Sequence, residues 1–302
     1  MGQEWPTISI IIPTYSRPEL LRVCLRSLTF FDYPRDRFEV IVVDDGGESS
    51  SEVVAAPFCD QLEIILLRQD HSGPAIARNT GAARAKGEFI AFIDDDCAPA
   101  PGWLRALAKR FAMTPDCAIG GRTLNAIPDN LYSTASQLLI DYLYTYYKGN
   151  LNKTLFFASN NLALPADGFH AIGGFDTTFP LAAGEDRELC DRWLRRGYRM
   201  IYAPEALVYH FHTLTFRTFW RQHFNYGRGA LHYHQARARL GQSGVRLEPP
   251  SFYLNMLRYP FTRTPYKQAI LLAALLVLSQ EATVTGFFWE KLNQKITQKS
   301  RA

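Results

Sequence analysis

The chain of 302 residues is 47% hydrophobic and carries a formal net charge of +4. This composition predicts a folded protein whose core fits one large α/β domain with additions, or two smaller domains. It excludes a disordered chain, and the positive charge is too small to predict nucleic-acid binding. A small positive net charge is compatible with binding to anionic substrates or membrane headgroups.

The cysteines and the first residues indicate a cytoplasmic protein. Five cysteines are scattered along the sequence, and no two of them have the C-x-x-C spacing of a zinc site. The start, MGQEWPTISI, lacks the basic and apolar segments of a signal peptide. We therefore expect a cytoplasmic location, with the inner face of the membrane as one position within it.

The first hundred residues alternate between strands and helices. Apolar runs rich in β-branched residues predict four strands, at 7–15, 38–46, 62–69 and 88–96. Helical spacing is present at 16–28, where Ser16 is in position to cap the helix, and at 73–87. This alternation predicts an α/β fold with a mostly parallel central sheet and helices on both faces, whose ligands bind beyond the carboxyl ends of the strands.

The later part of the chain is less regular. It predicts a helix at about 185–196, a strand at 199–210 and an apolar helix within 258–290. The apolar core of this last segment, Ala269 to Leu278, is shorter than the roughly 18 residues that a membrane span needs, and Gln280 and Glu281 interrupt it. We expect this helix either to lie on a membrane surface or to be a helix of the core or of a homodimer contact.

Three consecutive aspartates, Asp94 to Asp96, end the fourth predicted strand. They could form a solvated turn, cap a helix, or hold a divalent cation against a phosphate. The sequence contains neither GxGxxG after the first strand nor GxxxxGK[ST], so a phosphate-bearing ligand would need another means of binding. A divalent cation held by the aspartates would bind the phosphate groups.

Five segments, in this order, resemble family 2 glycosyltransferases: SIIIPTYSRPELLRVCLRSL, VIVVDDGG, GPAIARNTGAARAKGEFIAFIDDD, GGFD and GEDRELCDRWLRRGY. The resemblance covers residues 7–212 and implies the GT-A fold. It makes residues 1–230 the glycosyltransferase domain, with a nucleotide-binding half at about 1–125 and an acceptor half at about 126–230. Residues 231–302 are then a C-terminal helical extension.

The resemblance also implies the donor-binding residues. The nucleobase would be lined by Pro13, Thr14, Tyr15 and Arg17. Asp45 would accept a hydrogen bond from uracil or a neighbouring nucleoside group. Arg78 would lie near the nucleotide, although a solvated helix cation is the alternative.

By the same resemblance, the aspartate triplet lies where the family carries its DXD motif. Asp96 would ligate Mn²⁺ or Mg²⁺, Asp95 would face the ribose or the metal, and Asp94 could share either task. His210 and His212, alternate residues near the end of a strand, are candidates for a further metal ligand, and we choose His210. The alternative for both histidines is ordinary hydrogen bonding.

The acceptor residues are implied in the same way. Asp186 of the GED segment would be the catalytic base, and Glu185 would support it or contact the acceptor. Asn160, Asn161 and Asp176 would bind sugar hydroxyls, with an aromatic subcore as the alternative reading of that region. Acids also suit a helix N-terminus on purely structural grounds.

The implied activity is an inverting, metal-dependent transfer of one sugar. The donor is a nucleoside diphosphate sugar, with UDP favoured, and the acceptor is a hydroxyl group on a glycan, lipid or small molecule. The Q-x-x-R-W element of processive synthases is absent from the sequence, which favours a single addition. The alternatives are a sugar-1-phosphate nucleotidyltransferase, whose Gly-rich signature loop is missing, and a catalytically silent nucleotide-binding or scaffold protein.

Overall fold

The structure is a computed structural model that describes residues 5–47, 50–148, 156–179, 181–241 and 248–299. The chain divides into two compact units. The first unit comprises residues 1–126, 156–180 and 189–211, and the second comprises residues 127–155, 181–188 and 212–302. The division predicted at residue 230 falls inside a single helix, Phe216–Arg239.

The first unit is built on a mixed sheet, which has eight strands among the described residues. In chain order they are β1 (Ile8–Thr14), β2 (Phe38–Asp44), β3 (Ile64–Arg68), β4 (Phe89–Phe92), β5 (Cys97–Pro99), β6 (Cys117–Asn125), β7 (Leu162–Pro165) and β8 (Arg199–His210). Across the sheet the order is β3-β2-β1-β4-β7-β6-β8-β5. The first four strands in this order are parallel, and so are β6 and β8, whereas β7 and β5 run antiparallel to their neighbours.

The α-helices within the described residues are α1 (Pro18–Leu28), α2 (Ser51–Ala55), α3 (Pro74–Arg84), α4 (Trp103–Met113), α5 (Leu131–Lys148), α6 (Ala166–Ala171), α7 (Glu185–Arg195), α8 (Phe216–Arg239), α9 (Pro250–Arg258) and α10 (Tyr266–Lys299). Alternate strand residues point to opposite faces of the sheet. Since β1 and β2 are buried at every position, helices cover both faces. Ile10 and Val40 pack in one core with α1 and α4, whereas Ile41 and Val43 pack with Ala77 of α3. The predicted α/β fold is confirmed.

The start of α1 differs from the prediction. Arg17, not Ser16, is the N-cap residue, and no side chain caps this helix end. Ser16 instead has a φ of +53°, in the left-handed region, within the turn between β1 and α1. Pro18 occupies the first helical turn, where its fixed φ suits a helix start, so the helix begins one residue later than a serine cap would allow.

In the second unit, α8 and α10 touch backbone to backbone. A Cβ atom placed on Gly227 would lie 1.8 Å from the carbonyl oxygen of Thr283, and one on Gly286 would lie 1.9 Å from that of Phe224. Real side chains never approach a carbonyl oxygen so closely, so these two glycines permit the packing of the helices. At its start, α8 has a capping box formed by Thr215 and Thr218.

Helix α10 is longer than the sequence predicts. It continues through Gln280 and Glu281, because both residues are good helix formers and a polar side chain does not end a helix. The stretch Tyr266–Thr297 is long and apolar enough to cross a membrane, with a mean hydropathy of 1.7 in its most apolar window. The prediction that this segment is too short is therefore wrong. A core helix of a soluble protein passes the same test of length and composition, so these properties alone do not place α10 in lipid.

Candidate active site

Three neighbouring strands of the first unit lead into the predicted donor residues. Strand β1 lies between β2 and β4 and is parallel to both, so their carboxyl ends meet at one edge of the sheet. There the backbone N–H of Asp45 donates to the carbonyl oxygen of Thr14, and the Thr14 hydroxyl donates to Asp95 Oδ2 at 2.7 Å. The predicted residues Pro13, Thr14, Asp45 and Asp95 are thus brought together where α/β sheets bind ligands.

Asp95 and Asp96 share one arginine. Arg17 Nη2 lies 2.5 Å from Asp95 Oδ1, and Arg17 Nη1 lies 2.9 Å from Asp96 Oδ2. Asp95 is fully buried, and burial raises its pKa to about 7 against the lowering effect of Arg17. Because both carboxylates are buried and paired, this segment is not a solvated turn.

Asp96 also faces His210, the last residue of β8. His210 Nε2 lies 3.3 Å from Asp96 Oδ1. Burial lowers the pKa of His210, but the charge of Asp96 and the hydrogen bond to it outweigh burial, and the net pKa is raised. A carboxylate beside an imidazole is a ligand pair that suits Mn²⁺, so these two residues fit a divalent cation.

Cys97 completes this cluster, and the sequence analysis missed it. The potential ligand atoms of Asp96, Cys97 and His210 all lie within 4.8 Å of one another, because β5 pairs with β8 and sets Cys97 opposite His210. Burial raises the pKa of the Cys97 thiol well above its usual range, and the nearby Asp96 acts in the same direction. His212, the alternative histidine, belongs to the second unit, where its Nε2 lies 2.7 Å from Gln222 Oε1.

Asp94 is bound to Arg78. Arg78 Nη2 lies 2.8 Å from Asp94 Oδ1, and the guanidinium lies 5.5 Å from the centre of the Phe175 ring. Arg78 is 3% exposed, so it is not a solvated helix cation. The first aspartate of the triplet therefore belongs to a partly buried ion pair with α3, while the other two face Arg17.

Asp45 is saturated with hydrogen bonds from its own unit. Its Oδ1 accepts from Gln69 Nε2 at 2.7 Å and from the backbone N–H of Ser72 at 2.9 Å. Its Oδ2 accepts from the backbone N–H of Gly73 at 2.9 Å and lies 2.8 Å from His71 Nδ1. A carboxylate has about four lone-pair positions, so a nucleobase could bind this group only by displacing one of these donors.

The His71 ring stacks on Tyr15. The ring centres are 4.2 Å apart and the planes are 25° from parallel, while Tyr15 remains 47% exposed. An open hollow of about 570 Å³ is lined by Gly46 and residues 68–71 beside this pair. Sequence analysis missed Gln69 and His71, because the loop QDHSG has no periodicity or spacing that marks a site.

The predicted acceptor residues Asn160, Asn161 and Asp176 lie in the first unit. Asn161 is 3% exposed, accepts a hydrogen bond from Trp103 Nε1 and donates to two backbone carbonyl groups. These hydrogen bonds favour a structural role for Asn161 over the predicted binding of sugar hydroxyls. The side chain of Asn160 lies 3.5 Å from a threonine hydroxyl, and Asp176 accepts a backbone N–H two residues further on.

Glu185 and Asp186 form the start of α7, in the part of this helix that belongs to the second unit. Gly184 precedes them with a φ of +92°, a conformation that favours glycine. Asp186 Oδ1 accepts the backbone N–H of Arg187 at 2.7 Å, and Glu185 is 3% exposed. The positive end of the helix dipole stabilises both negative charges, and the catalytic role of Asp186 stays a prediction.

These features define a class of protein. The chain has the GT-A fold, as comparison with solved structures shows. The mannosyltransferase PcManGT from Pyrobaculum calidifontis, in complex with GDP-Man and Mn²⁺, superposes with a TM-score of 0.66 at 20% identity, over 95% of this chain and 88% of that one. S. aureus TarS 1–349 in complex with UDP-GlcNAc superposes with a TM-score of 0.54 at 18% identity, over 96% and 92%.

Sequence comparison identifies the family. Residues 9–174 match Glycosyl transferase family 2. The chain is 28% identical to Glycosyltransferase AglE of Haloferax volcanii, over 76% of this chain and 75% of that protein. It is 30% identical to Pre-mycofactocin glycosyltransferase of Mycobacterium tuberculosis, over 76% of this chain but only 48% of that protein. The chain belongs to glycosyltransferase family 2 and is an enzyme of the nucleotide-sugar transferase class, as the sequence predicts.

Proposed function

We propose that the protein transfers a single sugar, with inversion, from a nucleoside diphosphate sugar to a hydroxyl group of a glycan, lipid or small-molecule acceptor, in a reaction that requires Mn²⁺ or Mg²⁺. The observation that carries this proposal is the approach of Asp96 to His210 beside the buried Asp95. These groups lie at the carboxyl edge of the sheet, where a diphosphate would bind.

In this proposal, Asp96 and His210 hold the cation and Asp95 binds the ribose or shares the cation. When bound, the cation neutralises negative charge on the departing diphosphate. Arg17 is 46% exposed and already lies against both carboxylates, so it is suitably placed to meet the same diphosphate charge. Asp94 and Arg78 support this edge through their ion pair.

Tyr15 offers the nucleobase a stacking face, with Pro13 and Thr14 beside it. Asp45 accepts an N–H of the base after one of its present donors, most readily the half-exposed His71, moves away. UDP is the favoured nucleotide on the family resemblance. The solved relatives bind different bases, since PcManGT is in complex with GDP-Man and TarS with UDP-GlcNAc, so the nucleotide has to be measured.

Asp186 is proposed as the catalytic base that takes the proton of the acceptor hydroxyl as this oxygen attacks the anomeric carbon. Glu185 supports it or contacts the acceptor, and Asn160 and Asp176 bind sugar hydroxyls. The second candidate function is a catalytically silent nucleotide-binding or scaffold protein. The observation that favours this second function is the saturation of Asp45, because none of its acceptor positions is left open to a nucleobase.

Calorimetric binding of UDP, dTDP and GDP, with and without Mn²⁺, tests the donor site. We expect Mn²⁺-dependent binding of one nucleotide that is lost in Asp96→Ala and retained in the control Asp116→Ala, which removes an exposed acid elsewhere in the first unit. Absence of binding to all three nucleotides would overturn the donor-site assignment.

The catalytic base is tested separately. Asp186→Asn should bind the nucleotide as the wild type does but lose Mn²⁺-dependent turnover, measured as release of nucleoside diphosphate from its sugar donor. If the wild type binds a nucleotide but releases none from any donor, the scaffold alternative is favoured. The cytoplasmic location predicted from the sequence is independent of both experiments.

A further inference from the structure

Basic residues are concentrated in the last part of the chain. Residues 212–302 contain thirteen Lys and Arg but only three Asp and Glu, a formal net charge of +10. The whole chain carries +4, so the preceding residues 1–211 carry −6. Such asymmetry indicates that this segment meets an anionic partner.

The same segment exposes an apolar stripe along α10. Its members recur at intervals of four or seven residues, which places them on one face of the helix. Each is at least 42% exposed: Tyr266, Ile270, Val277, Val284, Phe288 and Leu292. Leu254 of α9 and Phe261, in the turn that follows it, are 50% and 43% exposed. The Phe261 ring centre lies 5.6 Å from that of Tyr266 and so continues the stripe of α10, and contiguous apolar exposure of this kind marks an interaction surface.

Basic side chains flank the stripe at both ends. The exposed residues Arg258, Arg263 and Lys267 lie before or at the start of α10, and the exposed residues Lys291 and Lys295 lie in its last third. An apolar helix face bordered by lysine and arginine is complementary to a bilayer with anionic headgroups, which takes up the apolar side chains and attracts the basic ones.

The packing of α8 excludes a membrane-spanning position for α10. The two helices touch at Gly227 and Thr283, and Arg228 Nε lies 2.7 Å from Glu290 Oε2 between them. His232 Nε2 lies 3.2 Å from the other oxygen of Glu290. If α10 crossed a bilayer in this packing, it would carry the charged groups of α8 into hydrocarbon, which is costly. The helix can therefore meet lipid only along its exposed face.

Glu281 argues against a second copy of the chain as the occupant of the stripe. It is exposed and lies near the middle of α10, between Val277 and Val284. A two-fold contact uses the same patch of both copies, so pairing centred on this stripe would bring two Glu281 carboxylates together. Like charges at such a contact are repulsive.

We propose that the exposed apolar face of α10 binds flat on the surface of an anionic bilayer. The apolar stripe enters the boundary between headgroups and acyl chains, and the flanking lysines and arginines contact the headgroups. Glu281 opposes this binding. The inference does not rest on the transfer reaction, since it uses residues outside the proposed donor and acceptor sites.

Co-flotation of the full chain with vesicles, without nucleotide or metal, tests the proposal. One set contains phosphatidylcholine alone, and the other contains about one third phosphatidylglycerol. We expect binding to the anionic set that decreases as salt is added. Phe288→Ser with Leu292→Ser should weaken it about tenfold or more. The matched control is Phe30→Ser, which removes a 62% exposed aromatic residue of the first unit and should leave binding unchanged.

A second pair of variants separates charge from general hydrophobicity. Lys291→Glu with Lys295→Glu should weaken binding to anionic vesicles, and Glu281→Gln should strengthen it. Equal binding to both vesicle sets, or no effect of the stripe and charge variants, would overturn the proposal. The proposal is also overturned if the protein binds no vesicles and sedimentation shows a dimer that the stripe variants dissociate. Extraction from cell membranes by detergent, but not by high salt, would overturn it as well, because it would indicate a membrane-spanning helix.

Discussion

Acid should destabilise the second unit through His223. This residue of α8 is fully buried, its ring centre lies 4.4 Å from that of Phe219, and its Nε2 lies 3.5 Å from Ser136 Oγ. Among the residues that the structure describes, Nδ1 has no hydrogen-bond partner. Burial, with a smaller contribution from the charge of His212, lowers the pKa of His223 to about 3. The folded protein thus keeps the ring neutral where an unfolded chain would protonate it near pH 6.5.

The sign of the effect follows from this lowered pKa. The stability that depends on a neutral ring is fully present above pH 6.5 and is lost as the pH falls toward 3. In this interval the unfolded state binds one more proton than the folded state, so the free energy of unfolding decreases by about 1.4 kcal/mol per pH unit. From pH 7.5 to 4.5 the loss from His223 alone should be about 2.5 kcal/mol.

Urea unfolding of the wild type and of His223→Leu, over this pH range, measures the effect. Other titrating groups contribute equally to both proteins, so the difference between their free energies of unfolding isolates His223. This difference should change by about 2.5 kcal/mol in favour of the leucine variant at low pH. His170→Leu, which removes an exposed histidine of α6, should follow the wild type at every pH. A difference that stays constant from pH 7.5 to 4.5 would refute the assignment of a buried neutral histidine.

Three further substitutions test the packing and the donor edge. Gly227→Ala should lower the free energy of unfolding by at least about 2 kcal/mol, because the added Cβ meets a carbonyl oxygen. The control Gly102→Ala should be tolerated, because nothing lies within 4 Å of the added Cβ. Thermal unfolding compares the two variants. His71→Ala should tighten UDP binding several-fold in calorimetry, because it frees one of the two acceptor positions of Asp45 Oδ2, the other being held by the Gly73 N–H. Arg78→Met should lower the free energy of urea unfolding by about 2 kcal/mol, since it leaves a partly buried aspartate unpaired.

Each of these substitutions has an opposite result that contradicts its reasoning. Equal melting temperatures for the two glycine variants would show that α8 and α10 can separate without loss. Weaker UDP binding by His71→Ala would make this histidine a contact of the nucleobase and not a competitor for Asp45. If adding Asp94→Asn to Arg78→Met restores no stability, the cost comes from lost packing against Phe175 and not from the unpaired charge.

The strands and the acid-lined edge could be predicted because their signals are local. Buried parallel strands read as continuous β-branched runs, so β1 and β2 were evident, and the aspartates that follow β4 mark its carboxyl end. The pairing of Asp96 with His210 was also predicted, through the family resemblance. The position of Cys97 beside Asp96 and His210 was not predicted, because β5 has three residues and is too short to produce a pattern.

Other features depend on contacts that no local pattern contains. The saturation of Asp45 comes from a loop that folds back from the end of β3 and supplies two backbone N–H groups as well as two side chains. The burial of Arg78 depends on the approach of Phe175, almost a hundred residues away in the chain. The length of α10 was underestimated because Gln280 and Glu281 were read as the end of the apolar segment, although neither residue ends a helix.

The position of β5 at the margin of the sheet has a consequence for how the protein could lose function. Asp96 and His210 meet where this three-residue strand pairs with β8, and an edge strand has just one neighbouring strand. Marginal strands are the parts of a sheet that open at low cost, while the central strands remain folded. A substitution that loosens this pairing could therefore abolish cation binding and leave the melting temperature of the first unit almost unchanged.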